Sequence, residues 1–385
     1  MREGKSACLR AAVRWISLMF MLFTGIVPAW ADAPDARGEI ENLKRRIAAL
    51  EGREAEADSP FTLESFGKYL RFHGLFELEG GWSKMEGADE TSDLTLATAQ
   101  IQVAAEITEN IGGHIVFLYE EVEGEDDTVE VDEALIHLTH PFDVLGGKIG
   151  LYGGRMYVPF GMFNSHFVSD PLTLELGETN DTALYFDYLW GDVVELKTGI
   201  FNGAVDTAGD NNSIDSFVAA VEVTPAEGLS FGVSYISDLA ESDGELVSGD
   251  LPGDSYRSSV AGGAAYLSAS HGNFTFEAEY LVALEDFDRD LVEANLALDE
   301  PSGLNGRRPR AWNLELALTP AEGWEVAVKA ERAKDFLDDA RRHGVVVAHG
   351  IFRNTSLALE YLHGDGKGEG NDPTHTTTAQ LAFEF

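Results

Sequence analysis

The last ten residues, TTTAQLAFEF (376–385), alternate without a break. In an extended strand Ala379, Leu381, Phe383 and Phe385 fall on one face, and Thr378, Gln380, Ala382 and Glu384 on the other. Chain ends usually fray. A terminus patterned to its final residue predicts a paired strand whose aromatic face meets something apolar.

The same period of two runs back to Tyr69. In YLRFHGLFELEGGW (69–82), Leu70, Phe72, Phe76, Leu78 and Trp82 oppose Arg71, His73, Glu77 and Glu79. DVVELKTGIF (192–201) sets Val194, Leu196 and Ile200 against Glu195 and Lys197, and WEVAVKAERA (324–333) sets Trp324, Val326 and Val328 against Glu325, Lys329 and Glu331. Alternation suits any half-buried sheet, a β-sandwich included, so the connections must decide. About sixteen strands are expected, the first near 69–82 and the last 374–385. Links after even-numbered strands are mostly tight, as in Gly191-Asp192, PAEG (225–228) and PAEG (320–323); links after odd-numbered strands are mostly longer, polar and acidic, as in GAVDTAGDNNS and GDGKGEGND. Loops sorted by parity predict an all-β fold, an antiparallel transmembrane β-barrel of about 16 strands. Most segments hold the roughly 9–11 residues a tilted strand needs to cross a bilayer. Every backbone group in lipid must be paired, so the sheet must close and the last strand must meet the first. A C-terminal Phe on such a strand also resembles the recognition signal of bacterial outer-membrane proteins.

Upstream of the strands the chain divides in two. Residues 1–31 read as a signal peptide: Arg2, Lys5, Arg10 and Arg14 precede ISLMFMLFTGIV, and Ala29 and Ala31 give the small-x-small cleavage pattern. A membrane anchor is the weaker reading, because the apolar run is short for a span. Residues 32–60 hold the convincing helix, GEIENLKRRIAALEGREAEA (38–57), with Ile40, Leu43, Ile47 and Leu50 at a and d positions. It is expected either to join copies of the chain as a periplasmic coiled coil, in a dimer or trimer, or to pack on the body. Residues 61–385 are the expected barrel, and the bacterial outer membrane is its expected place.

Composition excludes several classes. The formal net charge is −40, on 44% hydrophobic residues. That apolar content is too high for a disordered acidic chain, and a chain so acidic offers no face for nucleic acid. The single cysteine, Cys8, lies before the apolar core of the signal, so no disulfide is expected. Neither a Gly-x-Ser-x-Gly elbow, a His-Glu-x-x-His helix nor a P-loop is present. No enzyme activity, cofactor or metal is expected.

With apolar residues outward, the opposite faces of the strands line the lumen. They carry Glu77, Glu79, Glu195, Glu222, Glu277, Glu279, Glu315, Glu325, Glu331 and Glu360, against Arg71, Lys197 and Lys329. An acidic lumen favours cations, but it is the sum that argues so; a single glutamate is better read as keeping the wall wet. One long link differs from its acidic peers. RMYVPFGMFNSHFVSDPLTLELGETND (155–181) is apolar, and is expected to fold inward and constrict the pore through Arg155, Pro159, Phe160, Gly161, Phe163, His166, Phe167 and Asp170.

At this stretch the chain resembles known porins. In general porins the link after the fifth strand dips inside, and phosphate-selective porins carry a similar Gly-x-x-x-x-Pro-Phe-Gly segment, matched by Gly154, Pro159, Phe160 and Gly161. Signal peptide, short coiled coil, sixteen strands and VPFGMFNSHFVSDPLTLELGE together look most like the LbtU-like siderophore porins. That resemblance implies passage of a ferric siderophore without a plug domain. It covers the mature chain as architecture and about 25 residues as motif.

A basic patch is expected at the mouth, from Arg307, Arg308 and Arg310 before and on the twelfth strand and Lys334, Arg341 and Arg342 around the link between the thirteenth and fourteenth. It would attract an anionic solute, contact lipopolysaccharide phosphates, or pair with Asp335, Asp338 and Asp339. The expected partners are therefore the lipid bilayer and lipopolysaccharide, and a small hydrophilic solute or siderophore. The function expected is a porin with a cation-favouring lumen. An anion- or phosphate-selective porin and a structural anchor gripping through the coiled coil are the alternatives.

Overall fold

The computed structural model describes residues 69–121, 128–139, 143–203, 205, 213–243, 246, 256, 258–287, 306–336, 339–367 and 373–385. The signal peptide and the coiled coil expected over 1–60 lie outside them.

Sixteen antiparallel strands follow one another around a closed barrel. They are β1 (Leu70–Met85), β2 (Thr91–Thr108), β3 (Ile111–Tyr119), β4 (Glu130–Leu138), β5 (Gly147–Tyr157), β6 (Asn180–Trp190), β7 (Val194–Phe201) and β8 (Ser216–Ala226). The second half is β9 (Leu229–Ile236), β10 (Gly262–His271), β11 (Phe274–Ala283), β12 (Arg310–Ala321), β13 (Trp324–Lys334), β14 (Asp339–Phe352), β15 (Thr355–Lys367) and β16 (Thr374–Glu384). A two-residue ladder, Asp143–Val144, folds back on the start of β5. The links after even-numbered strands are short throughout, apart from 139–146. The long links follow odd-numbered strands, but the link after β13 spans only 335–338.

The barrel closes where the terminal alternation predicts. Phe76 on β1 pairs with Phe383, and Gly80 with Ala379. One step beyond the ladder, Phe385 N–H donates to Gly74 O and Gly74 N–H to Phe385 O, both at 3.0 Å. The Phe385 ring stacks on Phe76, with centroids 6.2 Å apart. No strand edge is left open at the seam, which removes the unpaired amides that hydrocarbon would penalise.

Directly paired residues share a face, so register fixes which side each chain points to. The outer face is apolar and exposed: Leu196, Ile200, Phe231, Leu314, Leu316, Val328, Leu359 and Leu381 are among many such residues. The hydrophobic core is therefore inside the barrel. It gathers Phe160, Leu172 and Leu176 from the link after β5 with Ile236, Leu281, Ala311 and Ala333 from the wall, and Leu239, Tyr256 and Phe336 from other links. Burying each of these large side chains contributes about 1.5–3 kcal/mol, which favours an inward fold over exposing the link to water.

Candidate functional site

The inward link runs from Val158 to Thr179 and contains a short helix, α1 (Leu172–Gly177), where the sequence suggested only a loop. Gly161 adopts φ +76°, and a Cβ there would run into the Phe163 ring. Phe163 itself has φ 55°, a strained conformation for a side chain of that size. The strain persists because the flanking amides are held from outside.

A row of wall carboxylates holds them. Glu279 on β11 accepts from Met162 N–H at 2.7 Å, Phe163 N–H at 3.2 Å and Thr173 Oγ1 at 2.8 Å. Glu315 on β12 accepts from Ser165 Oγ at 2.8 Å and His166 N–H at 2.6 Å. Glu360 on β15 accepts from Val168 N–H at 2.7 Å and Ser169 N–H at 3.0 Å, and Glu331 on β13 from Leu172 N–H at 2.8 Å. Ser234 on β9 takes Gly161 N–H at 2.9 Å. A loop has no ladder to satisfy its amides. Here the wall side chains supply the acceptors, and hydrogen bonds to charged acceptors are the stronger kind.

Two cations complete this clasp. Lys329 Nζ lies 3.5 Å from Glu315, donates to Ser169 O at 3.0 Å and sits over the Phe167 ring at 4.7 Å. Arg342 reaches Glu175 of α1 at 2.7 Å and Glu331 at 3.8 Å.

The clasp revises the expected lumen. Glu277, Glu279, Glu315, Lys329, Glu331 and Glu360 point inward but are buried beneath the link rather than lining water. Glu325 keeps 37% of its side chain exposed beside His166. Arg71, Glu77 and Glu79 on β1, Glu195 and Lys197 on β7 and Glu222 on β8 stand on wall that the link does not cover. There Glu195 and Lys197 pair at 2.9 Å with 26% and 28% side-chain exposure, and His114 and Glu133 pair at 2.8 Å with 20% and 24%. The link therefore lies against one side of the barrel, over β9–β15, and leaves solvent access along the other.

Other expected residues also move. Arg155 belongs to β5, pairs with Ala134 and Thr182, and is exposed on the outer face, so it is not part of the link. Pro159, Phe160, Gly161, Phe163, His166, Phe167 and Asp170 are on the link. The basic patch splits by strand parity. Arg342 turns inward to the clasp, whereas Arg341, Lys334 and Arg310 face outward. Arg308 is engaged with Ala283 O and Leu284 O, and Arg307 lies just before β12.

Acids from the links also border the open side. Asp170, exposed on the link, lies within electrostatic reach of Glu79 on β1 and Glu120 just past β3. Glu178, at the C-terminal end of α1, is pushed up to about 7 by burial first, then by the charges of Asp243, Asp170, Asp132 and Glu120. Burial likewise lifts Asp243 to about 6. Strand parity placed Glu331 inward and does the same for Ser234, which the sequence reading did not single out; nothing in the sequence brought Asp170 near Glu79.

No family model matches the chain. A UPF0422 protein of Coxiella burnetii is 23% identical over 309 residues, 76% of this chain and 63% of that protein. The chain spans between about half and two thirds of the length of the curated relatives it matches. Among solved structures, the outer membrane channel DcaP of Acinetobacter baumannii superposes with a TM-score of 0.60 at 10% identity, over 82% of this chain and 97% of that one. OmpF of Salmonella typhi, in a complex with daunomycin, gives 0.55 at 12% identity, over 82% and 97%. The fold is that of outer-membrane porins.

Proposed function

We propose that this barrel is an outer-membrane diffusion channel for small hydrophilic solutes, with a preference for cations. The observation that carries the reading is that Asp170, exposed on the link, lies within electrostatic reach of Glu79 and Glu120 on the uncovered wall. Link and uncovered wall thus both contribute acids to the solvent-accessible passage. The apolar outer face supports a bilayer as the surroundings. The anion-selective reading is disfavoured because Arg342 is consumed by Glu175 and Glu331, Arg308 is held by two backbone carbonyls, and Arg310 and Arg341 face outward.

A ferric siderophore is the finer cargo reading. Its support is the resemblance of the 155–181 stretch to LbtU-like porins, together with residues 158–179 of that stretch being the segment folded inside the barrel. The anchor reading requires a blocked lumen, against which the partial exposure of Glu195, Lys197, His114 and Glu133 argues.

The test is conductance of the purified protein in a planar lipid bilayer. Discrete, ohmic steps support a channel. A barrel that inserts yet carries no current contradicts it.

A further inference from the structure

One inward-facing row of the uncovered wall is aromatic. Register aligns Gly112 on β3 with His137 on β4, His137 with Tyr152 on β5, Tyr152 with Tyr185 on β6, and Tyr185 with Gly199 on β7. The Tyr152 and Tyr185 rings stack, with centroids 4.5 Å apart and planes 12° from parallel, and the His137 ring lies 6.1 Å from Tyr152. The row sits toward the short-turn end, since His137 is next to last in β4. Glycine bounds it on both sides. A Cβ at Gly112 would come within 2.7 Å of His137 Nε2, and one at Gly199 within 2.5 Å of Tyr185 Cβ. The stack therefore stops at Tyr185, with no β7 side chain at the next step.

A tyrosine hydroxyl that is buried usually finds a partner. Tyr152 and Tyr185 are only partly buried, packed against the inner core. Neither phenol oxygen has a hydrogen-bond partner among the described residues, and neither is sealed from water. Their polar edges therefore open on the passage. Acids surround them: Asp187 and Glu195 lie within electrostatic reach of both rings, Glu133 within reach of Tyr185, and Glu106 stands 4.0 Å from His137. One lysine, Lys197, serves both Asp187 beside it in register and Glu195 at 2.9 Å, so net negative charge remains. Carboxylates beside an aromatic face attract a cation. A neutral sugar ring would leave that charge uncompensated, and an inorganic cation would make no use of the stack.

We propose that this row is a stacking subsite for planar aromatic organic cations, such as N-alkylated heteroaromatic rings. Tyr152 and Tyr185 supply the aromatic face, and Asp187 and Glu195 the charge. The inference deepens the channel reading and rests on it for solute access, but binding itself is measurable without current.

The test titrates the detergent-purified full chain by calorimetry, at mildly alkaline pH, with three probes. These are N-methylacridinium, neutral acridine of nearly the same shape, and tetraethylammonium, a cation without a ring. N-methylacridinium is expected to bind saturably, and the other two roughly tenfold more weakly, having lost either the charge or the stacking. Y152L/Y185L should weaken N-methylacridinium binding by a similar factor and D187N by a smaller one. Y280L, on the outer face, should bind like wild type. Heat-modified migration on gels confirms that each variant is folded. Equal binding of acridine and N-methylacridinium, or unaltered binding by the folded double variant, overturns the proposal. The same titration separates the subsite from the channel. Bilayer current without probe binding would remove the subsite and leave the channel; probe binding with these dependences but no current would uphold the subsite and remove the channel.

Discussion

Glu279 on β11 holds the backbone of Met162, 117 residues earlier in the chain, through a 2.7 Å hydrogen bond. The same carboxylate takes Phe163 N–H and Thr173 Oγ1. One side chain thereby fixes both the strained turn and the start of α1. Each bond to a charged acceptor is worth about 1.5–3 kcal/mol net. E279A should free this part of the link, and E279Q, which keeps one acceptor oxygen, should do so less. Limited proteolysis of the detergent-solubilised barrel checks this: cleavage between 158 and 179 should be fastest in E279A, intermediate in E279Q and slowest in wild type.

The Lys329–Glu315 pair is wholly buried, with 0% side-chain exposure on both partners. Removing one partner of such a pair leaves an uncompensated charge, at a cost of roughly 3–5 kcal/mol. K329M should lower the temperature at which the compact gel band converts to the unfolded one. K329M/E315Q should recover part of that loss. A K329M protein as heat-stable as wild type would refute the assignment.

Closure at the seam depends on Phe385. Deleting it removes two 3.0 Å backbone hydrogen bonds to Gly74 and the ring stacked on Phe76. The yield of folded barrel from refolding into detergent should fall, whereas F385Y should refold like wild type.

Selectivity should depend on pH through Glu178. Its pKa is raised to about 7, so the group is charged above that value and neutral below it. Acidification from about pH 8 to about pH 6 therefore removes negative charge beside the passage, and cation preference should decline over that window. Asp243, raised to about 6, extends the decline to lower pH. In E178Q the preference should be lower at pH 8 and change less across the window.

Particular residues show what the sequence could disclose. The alternation in TTTAQLAFEF and the parity of the links disclosed the barrel and its seam, because a period of two is a direct image of strand geometry. The apolar stretch 155–181 disclosed an inward link for the same reason that cores form. Arg341 and Arg342 are neighbours in sequence, yet they point to opposite faces of β14, and Arg155 lies on β5 rather than on the link; the alternation of the strands accounts for both. Depth was not legible. Glu279 and Glu195 share the same inward parity, yet one is covered by a link from a distant part of the chain and the other meets water. Periodicity gives the face of a residue, and only tertiary packing gives what lies over it.

The most direct test of the acidic passage is the reversal potential of the purified channel in a planar bilayer under a potassium chloride gradient at about pH 8. The arrangement of Asp170 against Glu79 and Glu120 predicts a potential of the sign set by potassium, reduced in D170N and unchanged in R341Q. A potential of the sign set by chloride, or a cation preference identical in D170N and wild type, would contradict it.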